Sequence, residues 1–343
     1  MNLNNCIFHK INFNFTTTIT IAILSLMLLS CSKNTEDPIQ VNPELVVPDL
    51  VLTKTELVVA NPLRNLSSYY YWITKSPTKD AFYIHNADND SDTSVRGMML
   101  YDVATNTFTN KAKCPNIVAA GYTSQLMTLS AGNGYLAYIA NEFNEYDCDK
   151  DTWIVKPANY YFPANIKANH GSSQGCLRFS KGAIFYIGGI TPCKTVKKID
   201  SGMTWDNFAD YPVEITGGPE VVANSIICMY ALGGYDSSGT KIKEFFKYTD
   251  ATNAWTKLPD APINAATDNL KRKMVFFKDK YVIYLGTDYK LHIFNTQTNK
   301  WQTTTVDVTG TIGQEHLEVS TNGNAIFLLY RKANNSLGIQ EFE

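Results

Sequence analysis

The chain has 343 residues, 44% hydrophobic, 12% aromatic and 18% charged, with 30 Lys and Arg against 32 Asp and Glu. These fractions exclude a disordered chain, and the length suits two average domains or one large all-β domain. A formal charge of −2 supplies no basic field, which argues against a nucleic-acid partner, and 20 Tyr with 17 Phe favour short aromatic strands over long helices.

At the N-terminus, His9 and Lys10 lead into an apolar run over residues 19–29. The run is too short for an ordinary spanning helix and has the shape of a secretory signal. It closes on Leu28, Leu29, Ser30 and Cys31, which resemble the lipobox of bacterial lipoproteins, where cleavage precedes a Cys that carries diacylglycerol. The resemblance implies a signal peptide over 1–30, a lipidated Cys31 and a flexible tether over 31–43. It also implies export to the envelope of a Gram-negative bacterium, with the lipid held in the outer membrane. The protein would then face the periplasm or the cell surface. Glu36 and Asp37 loosely resemble the acidic surface-export signal of some such lipoproteins. Five cysteines follow: Cys114, Cys148, Cys176, Cys193 and Cys228. None forms a C-x-x-C pair or a zinc-like cluster with His, and their odd number prevents complete internal pairing.

Beyond the tether the chain repeats. Four stretches hold an aromatic residue, six residues rich in Asp, Asn and Thr, and a second aromatic. Their ends are Tyr101 and Phe108, Tyr146 and Trp153, Tyr248 and Trp255, and Phe294 and Trp301. A shorter copy runs from Ile199 to Trp205, so the closing aromatics are 45, 52, 50 and 46 residues apart. A second marker keeps the same beat: an apolar run ending in a small or polar doublet. The doublets are His85 and Asn86, Ala140 and Asn141, Gly188 and Gly189, Gly233 and Gly234, Gly286 and Thr287, and Tyr330 and Arg331. Their first members are 55, 48, 45, 53 and 44 residues apart. Two markers at one period define a tandem array.

One unit reads as a four-stranded antiparallel meander. The apolar run is a buried inner strand, the opening aromatic ends the third strand, and the polar residues turn by Asx chemistry. The closing aromatic begins the fourth strand and packs back on its neighbour. Units of this size cover both sheet faces only against one another, as in a radial array. Over 44–343, a period near 50 gives six blades. The last contains strands over 317–320, 325–330 and 337–342. Its missing strand would come from residues 44–52 or 56–60, unless the ring has five blades or the N-terminal stretch is a separate unit.

Gly233, Gly234 and Tyr235, followed by Tyr248, Trp255 and the stretch from Leu258 to Pro262, resemble one nearly complete repeat of the kelch-type β-propeller family. Gly188, Gly189 and Trp205 give a second, partial copy. The resemblance implies an all-β, six-bladed kelch-like propeller whose doublets lie near the mouth of a central channel.

That placement makes His85, Asn86, Asn141, Tyr235, Asp236 and Arg331 candidate ligand-binding residues. The inter-blade loops add Tyr160, Tyr161, His170 and Arg272. Arg331 would hold a carboxylate or sulfate bidentately, or pair with a neighbouring acid. His85 would move a proton, or serve as a hydrogen-bonded structural residue. Tyr160 and Tyr161 would stack on a sugar, or pack between blades. His292 reads as structural from its strand position. The runs Asp88–Asp90–Asp92 and Asp147–Asp149–Asp151 space oxygen donors for calcium but lack the Gly and Glu of an EF-hand loop. No metal or cofactor is expected, and no hydrolase, metalloprotease or P-loop motif occurs. Nor is there a His and Tyr pattern like that of copper-radical oxidases, which share the kelch propeller.

The leading expectation is a non-catalytic module, tethered by lipid, that binds a glycan, glycoprotein or partner protein on its loop face. Two alternatives stand beside it. Some bacterial kelch propellers are similar in size and export and act as sugar mutarotases or epimerases on sialic acid. In that case Arg331 would hold the carboxylate. The other alternative is a structural envelope component.

Overall fold

Five of the repeats each close into one four-stranded antiparallel sheet made of consecutive strands. The first holds β2 (Tyr71–Lys75), β3 (Ala81–Asn86), β4 (Met98–Asp102) and β5 (Thr107–Lys111). The second holds β6 (Gln125–Thr128), β7 (Tyr135–Ile139), β8 (Phe143–Asp147) and β9 (Thr152–Val155). The third holds β10 (Cys176–Ser180), β11 (Ala183–Ile187), β12 (Val196–Ile199) and β13 (Trp205–Phe208). The fourth holds β14 (Glu220–Ala223), β15 (Cys228–Leu232), β16 (Phe245–Thr249) and β17 (Ala254–Leu258). The fifth holds β18 (Met274–Phe277), β19 (Tyr281–Leu285), β20 (Lys290–Asn295) and β21 (Lys300–Asp307). The sixth joins β22 (His316–Val319), β23 (Ile326–Arg331) and β24 (Leu337–Phe342) to β1 (Lys54–Leu57) from the other end of the chain.

These strands come from a computed structural model. It describes residues 49–57, 59, 71–86, 98–112, 125–128, 135–139, 143–155, 176–180, 183–188, 194, 196–199, 205–224, 228–265, 273–308, 315–332 and 336–343. All of them belong to the compact unit Pro48–Glu343, which is distinct from Met1–Val47. Among the described residues, no helix is long and apolar enough to cross a membrane.

β1 lies antiparallel to β24, with Lys54 opposite Phe342 and Leu57 opposite Ile339. It shares only Glu56 and Leu57 with the second of the two stretches expected to complete this sheet, and it begins two residues beyond the first. Paired backbone bonds between Thr53 and Glu343 extend the ladder, at 2.8 and 3.0 Å.

The polar stretches are the turns between third and fourth strands, as the spacing predicts. Asn106, Asp151, Asn253 and Asn299 sit there at φ of 53°, 54°, 46° and 55°, a left-handed conformation that Asn and Asp tolerate best. Three of these side chains also accept the opening tyrosine's hydroxyl, from Tyr101 to Asn106 at 3.0 Å, from Tyr146 to Asp151 at 2.5 Å and from Tyr248 to Asn253 at 3.1 Å. One short polar residue thus supplies both the backbone geometry and the partner for the hydroxyl of a buried tyrosine.

The closing tryptophans tie sheet to sheet. Trp153 Nε1 donates to the Ala112 carbonyl at 2.8 Å, Trp255 Nε1 to Ala209 at 3.0 Å, and Trp301 Nε1 to Pro259 at 2.9 Å. Each acceptor follows the fourth strand of the preceding sheet. Trp255→Phe keeps an aromatic ring and removes the donor, so it is expected to cost about 1 kcal/mol. A thermal melt within error of the parent would show that this seam contributes nothing.

Among the described residues, apolar clusters fill the spaces from the third sheet through the fourth, fifth and sixth and on to the first. Phe245 and Phe294 meet edge to face at 5.0 Å between the fourth and fifth sheets. Phe82 and Phe327 meet at 5.6 Å between the first and sixth. Ile84 and Tyr101 join that last cluster with Leu329 and Ile339. The first strands also run side by side: β2 with β6, β6 with β10, β10 with β14, β14 with β18, β18 with β22, and β22 with β2. This is an all-β, propeller-like array.

Every sheet therefore has two ends. At the doublet end the second strand finishes, the third starts and the inner first strand opens. At the other, the turn end, lie the Asp- and Asn-rich turns.

Candidate functional site

Aligning the sheets on their doublets shows which residues open the inner strands. Glu220 of β14 stands opposite Leu232, the residue before Gly233. In the fifth sheet Lys273 holds that place, its carbonyl accepting the Leu285 amide at 2.8 Å, and in the sixth His316 stands opposite Leu329. Ile73, Gln125 and Cys176 occupy the position in the first three sheets. An acid, a base and an imidazole thus stand at one level on three neighbouring strands.

Glu220 and Lys273 are linked to each other, and Lys273 and His316 each meet a further acid. The Lys273 amide donates to Glu220 Oε2 at 3.4 Å, and its Nζ lies 3.7 Å from Glu315 Oε2. His316 Nε2 and Glu318 Oε1 are 3.0 Å apart. Glu220 is 0% exposed, Glu315 and His316 are 5% and Glu318 is 8%, so this charge is held almost dry. Removing one partner from such a group leaves the others charged and desolvated, which costs about 3–5 kcal/mol. Lys273→Ala should therefore lower the thermal midpoint markedly. An unchanged midpoint would mean that water reaches Glu315 freely.

Tyr284, 1% exposed, stands across the ladder beside this group, opposite Met274. Burial raises its pKa, and the charges of Glu220 and Asp288 raise it further, so it stays a neutral hydroxyl. Nearby, buried His292 contacts Thr303 Oγ1 through Nδ1 at 3.0 Å and Asp288 Oδ1 through Nε2 at 3.1 Å. At 2% exposure, with both ring nitrogens occupied, it serves structure, in keeping with its strand position.

Three of the expected ligand-binding residues have described side chains. Tyr235 follows the glycine doublet and is half-buried; its backbone pairs with Thr216 at 2.7 and 3.0 Å, and Lys241 Nζ lies 5.7 Å from its ring centre. Asp236 is engaged by its own turn, accepting from the Ser238 hydroxyl at 2.6 Å and from the Ser238 and Thr240 amides at 2.9 Å. The Ser238 hydroxyl and the Thr240 amide hold its pKa below the usual value. Arg331 ends β23 opposite Leu337, two residues beyond the partner of His316, and is half-buried. His85 and Asn86 end β3 opposite Trp72 and Tyr71, but their side chains lie outside the described set. Asn141, Tyr160, Tyr161, His170 and Arg272 lie outside the described residues, as do Cys31 and the acidic run at 88–92.

The second acidic run is a turn. Asp147 accepts the Asp149 and Lys150 amides at 3.1 and 3.0 Å, while Asp151 accepts the Tyr146 hydroxyl and the Ala112 amide. Among the described residues no group of three His, Cys, Asp or Glu is placed to hold a metal. Cys148 and Cys228 are free thiols, and burial pushes the Cys148 pKa up to about 11, which makes it a poor nucleophile.

Sequence reasoning does not single out Glu220, Lys273, Glu315, His316 or Glu318. The signal is nonetheless there: counting back from each doublet to the start of its first strand brings the opening positions into one column.

No family model matches the chain, and no curated protein matches it. In three dimensions it is similar to YjhT, with a TM-score of 0.56 and 11% identity over 81% of this chain and 95% of that one. It is also similar to a fungal alcohol oxidase of the AA5 family, in complex with copper, with a TM-score of 0.53 and 13% identity over 80% of this chain. The chain spans 62% of that oxidase's length. At these identities the likeness shows the fold alone, a β-propeller-like arrangement of antiparallel sheets.

Proposed function

We propose that this chain is an exported lipoprotein, anchored through Cys31, whose six sheets are the blades of one closed propeller and whose doublet end binds a ligand without catalysis. Closure is supported by β1 on β24 and by the core shared between the first and sixth sheets. Export and anchoring rest on the apolar run and the Leu-Leu-Ser-Cys31 sequence.

The observation that carries binding is the column of Glu220, Lys273 and His316, backed by Glu315 and Glu318. Burying charge is costly, and folding alone would be served as well by apolar residues. Hydroxyl-rich or charged ligands, such as a glycan, a glycoprotein or a polar loop of a partner, find both donors and acceptors at this end. Lys273→Met, Arg331→Ala and Tyr235→Ala are each expected to weaken binding on a glycan array or to captured envelope glycoprotein by about tenfold, the value of one charge-assisted contact. Binding untouched by all three would remove the doublet end from consideration.

A second reading is favoured by one contact, His316 beside Glu318, which suits proton transfer. A sugar mutarotase or epimerase would then use His316 where the sequence offers His85. Faster anomer exchange of sialic acid, followed by NMR and abolished in His316→Gln, would put this reading first.

A further inference from the structure

Tyr289, in the loop between β19 and β20 at the doublet end of the fifth sheet, is 46% exposed. Among the described residues it is the one aromatic with an exposed side chain of that size. We propose that Tyr289 and Asp288 form a subsite for one neutral pyranose of a glycan, a reading that rests on the doublet end being the binding face. The Tyr289 ring lies against a face of the sugar, and the Asp288 carboxylate accepts its hydroxyls.

The backbone singles this residue out as well. Tyr289 has φ +59°, and it is the one aromatic among the described non-glycine residues at positive φ, most of which are Asn or Asp. Those short side chains tolerate the left-handed region, whereas a bulky residue there is strained. Two backbone bonds hold the conformation: the Tyr289 amide donates to Gly286 at 3.1 Å, and its carbonyl accepts the Val308 amide at 2.8 Å. Asn or Gly would fit this turn without strain and without showing a ring to water. Strain and exposure together serve something outside the fold.

Asp288 is fixed beside it. Its Oδ1 meets His292 Nε2 at 3.1 Å and accepts the Lys290 amide at 3.3 Å, while Thr303 Oγ1 holds the other ring nitrogen at 3.0 Å. Gly286 leaves room for that contact, because a Cβ there would overlap both Asp288 Oδ1 and His292 Nε2. Both bonds fall on Oδ1. Among the described residues no hydrogen bond engages Oδ2, so this carboxylate, 39% exposed, keeps those lone pairs for an incoming hydroxyl. The charges of Asp288 and Glu220 both act on the Tyr284 hydroxyl, which places the loop beside the charge column.

A sugar matches this pairing. The C–H groups of a pyranose face pack on an aromatic ring, and the hydroxyls on its rim donate to a carboxylate. A protein partner needs a wider apolar patch. Here Thr287, Asp288 and Lys290 flank Tyr289, and the other exposed large hydrophobic residues, Val51, Ile154 and Val155, lie outside the fifth sheet. An acidic sugar would meet Asp288 as a like charge, so the sugar at this subsite is neutral.

The test applies the full chain, in mild detergent, to an array of neutral hexose, N-acetylhexosamine and sialylated oligosaccharides. Binding to neutral glycans is expected, about tenfold weaker in Tyr289→Asn and in Asp288→Asn and retained in Tyr289→Trp. Tyr289→Asn relieves the backbone, so its melting temperature should equal or exceed the parent's, and lost binding then reports the ring and not the fold. Neutral-glycan binding untouched by both Asn variants overturns the subsite. If Arg331→Ala or Tyr235→Ala weakens that binding all the same, the doublet end survives as the binding face. Binding confined to sialylated glycans or to captured envelope protein overturns the ligand class. Should nothing bind, the binding reading of the doublet end falls, and the subsite with it.

Discussion

Replacing Gly233 with Ala is expected to destabilise the chain by about 3 kcal/mol or more, through strain and steric overlap together. Gly233 has φ +76°, and a Cβ built there would overlap the Ala265 carbonyl oxygen. That oxygen is held in place, accepting the Gly234 amide at 2.9 Å, while the Ala265 amide donates to Ile242 at 2.8 Å and the Ile242 amide to Gly234 at 3.0 Å. The doublet is therefore the floor over which the chain crosses from the fourth sheet into the fifth. Gly188 repeats the arrangement beneath Gly217. Gly239, at φ +80° with open space for 4 Å around the place a Cβ would take, is the control, and its alanine should cost only about 1 kcal/mol of backbone strain. Equal melting temperatures for the two variants would show that the crossover does not need the space.

Removing residues up to Leu57 is the second large effect. The truncated chain loses β1, the 3%-exposed Leu52 side chain worth about 2 kcal/mol, and the backbone partners of β24. It also loses Glu56, which accepts the Tyr330 hydroxyl and lies 3.3 Å from Lys332 Nζ. A fall of about 10 °C or more in melting temperature, with aggregation through the bared β24 edge, is expected. A peptide of residues 49–57 should restore part of the loss by re-adding the strand. Unchanged melting would mean that the sixth sheet stands on three strands. Acid should weaken the same contact. Burial alone would raise the Glu56 pKa, but hydrogen bonds from Tyr330 and Gln340 and the Lys332 ammonium hold it below the usual value. Its contribution is thus complete above the ordinary carboxylate range and is lost as pH falls through the depressed value. The margin over Glu56→Gln should narrow accordingly.

The repeats were legible because their markers are local. Aromatic, polar turn and aromatic are consecutive in the chain, and Asn106, Asp151 and Asn253 declare both a left-handed residue and a partner for the preceding tyrosine. The glycine doublets were legible because only glycine fits beneath a crossing chain. The charge column was not, because Glu220, Lys273 and His316 are each unremarkable among their neighbours and belong together only through strand register. Asp236 looked available for the same reason in reverse: the hydroxyl and amides that engage it lie two to four residues away, in a turn whose closure its sequence does not announce.

The bonds that hold residues 49–56 span from 232 positions, Asp49 to Tyr281, to 343 − 53 = 290, Thr53 to Glu343. A chain that crosses a membrane N-terminus first therefore delivers β1 before any of its partners exist. The first piece to arrive must wait, unpaired, for the last strand. Contacts so distant in sequence form slowly, so completion of the sixth sheet should be the late step of folding. During that interval β1 is an open strand. If the chain is exported as proposed, translocation has to finish quickly, or that strand has to be shielded, until Glu343 has passed.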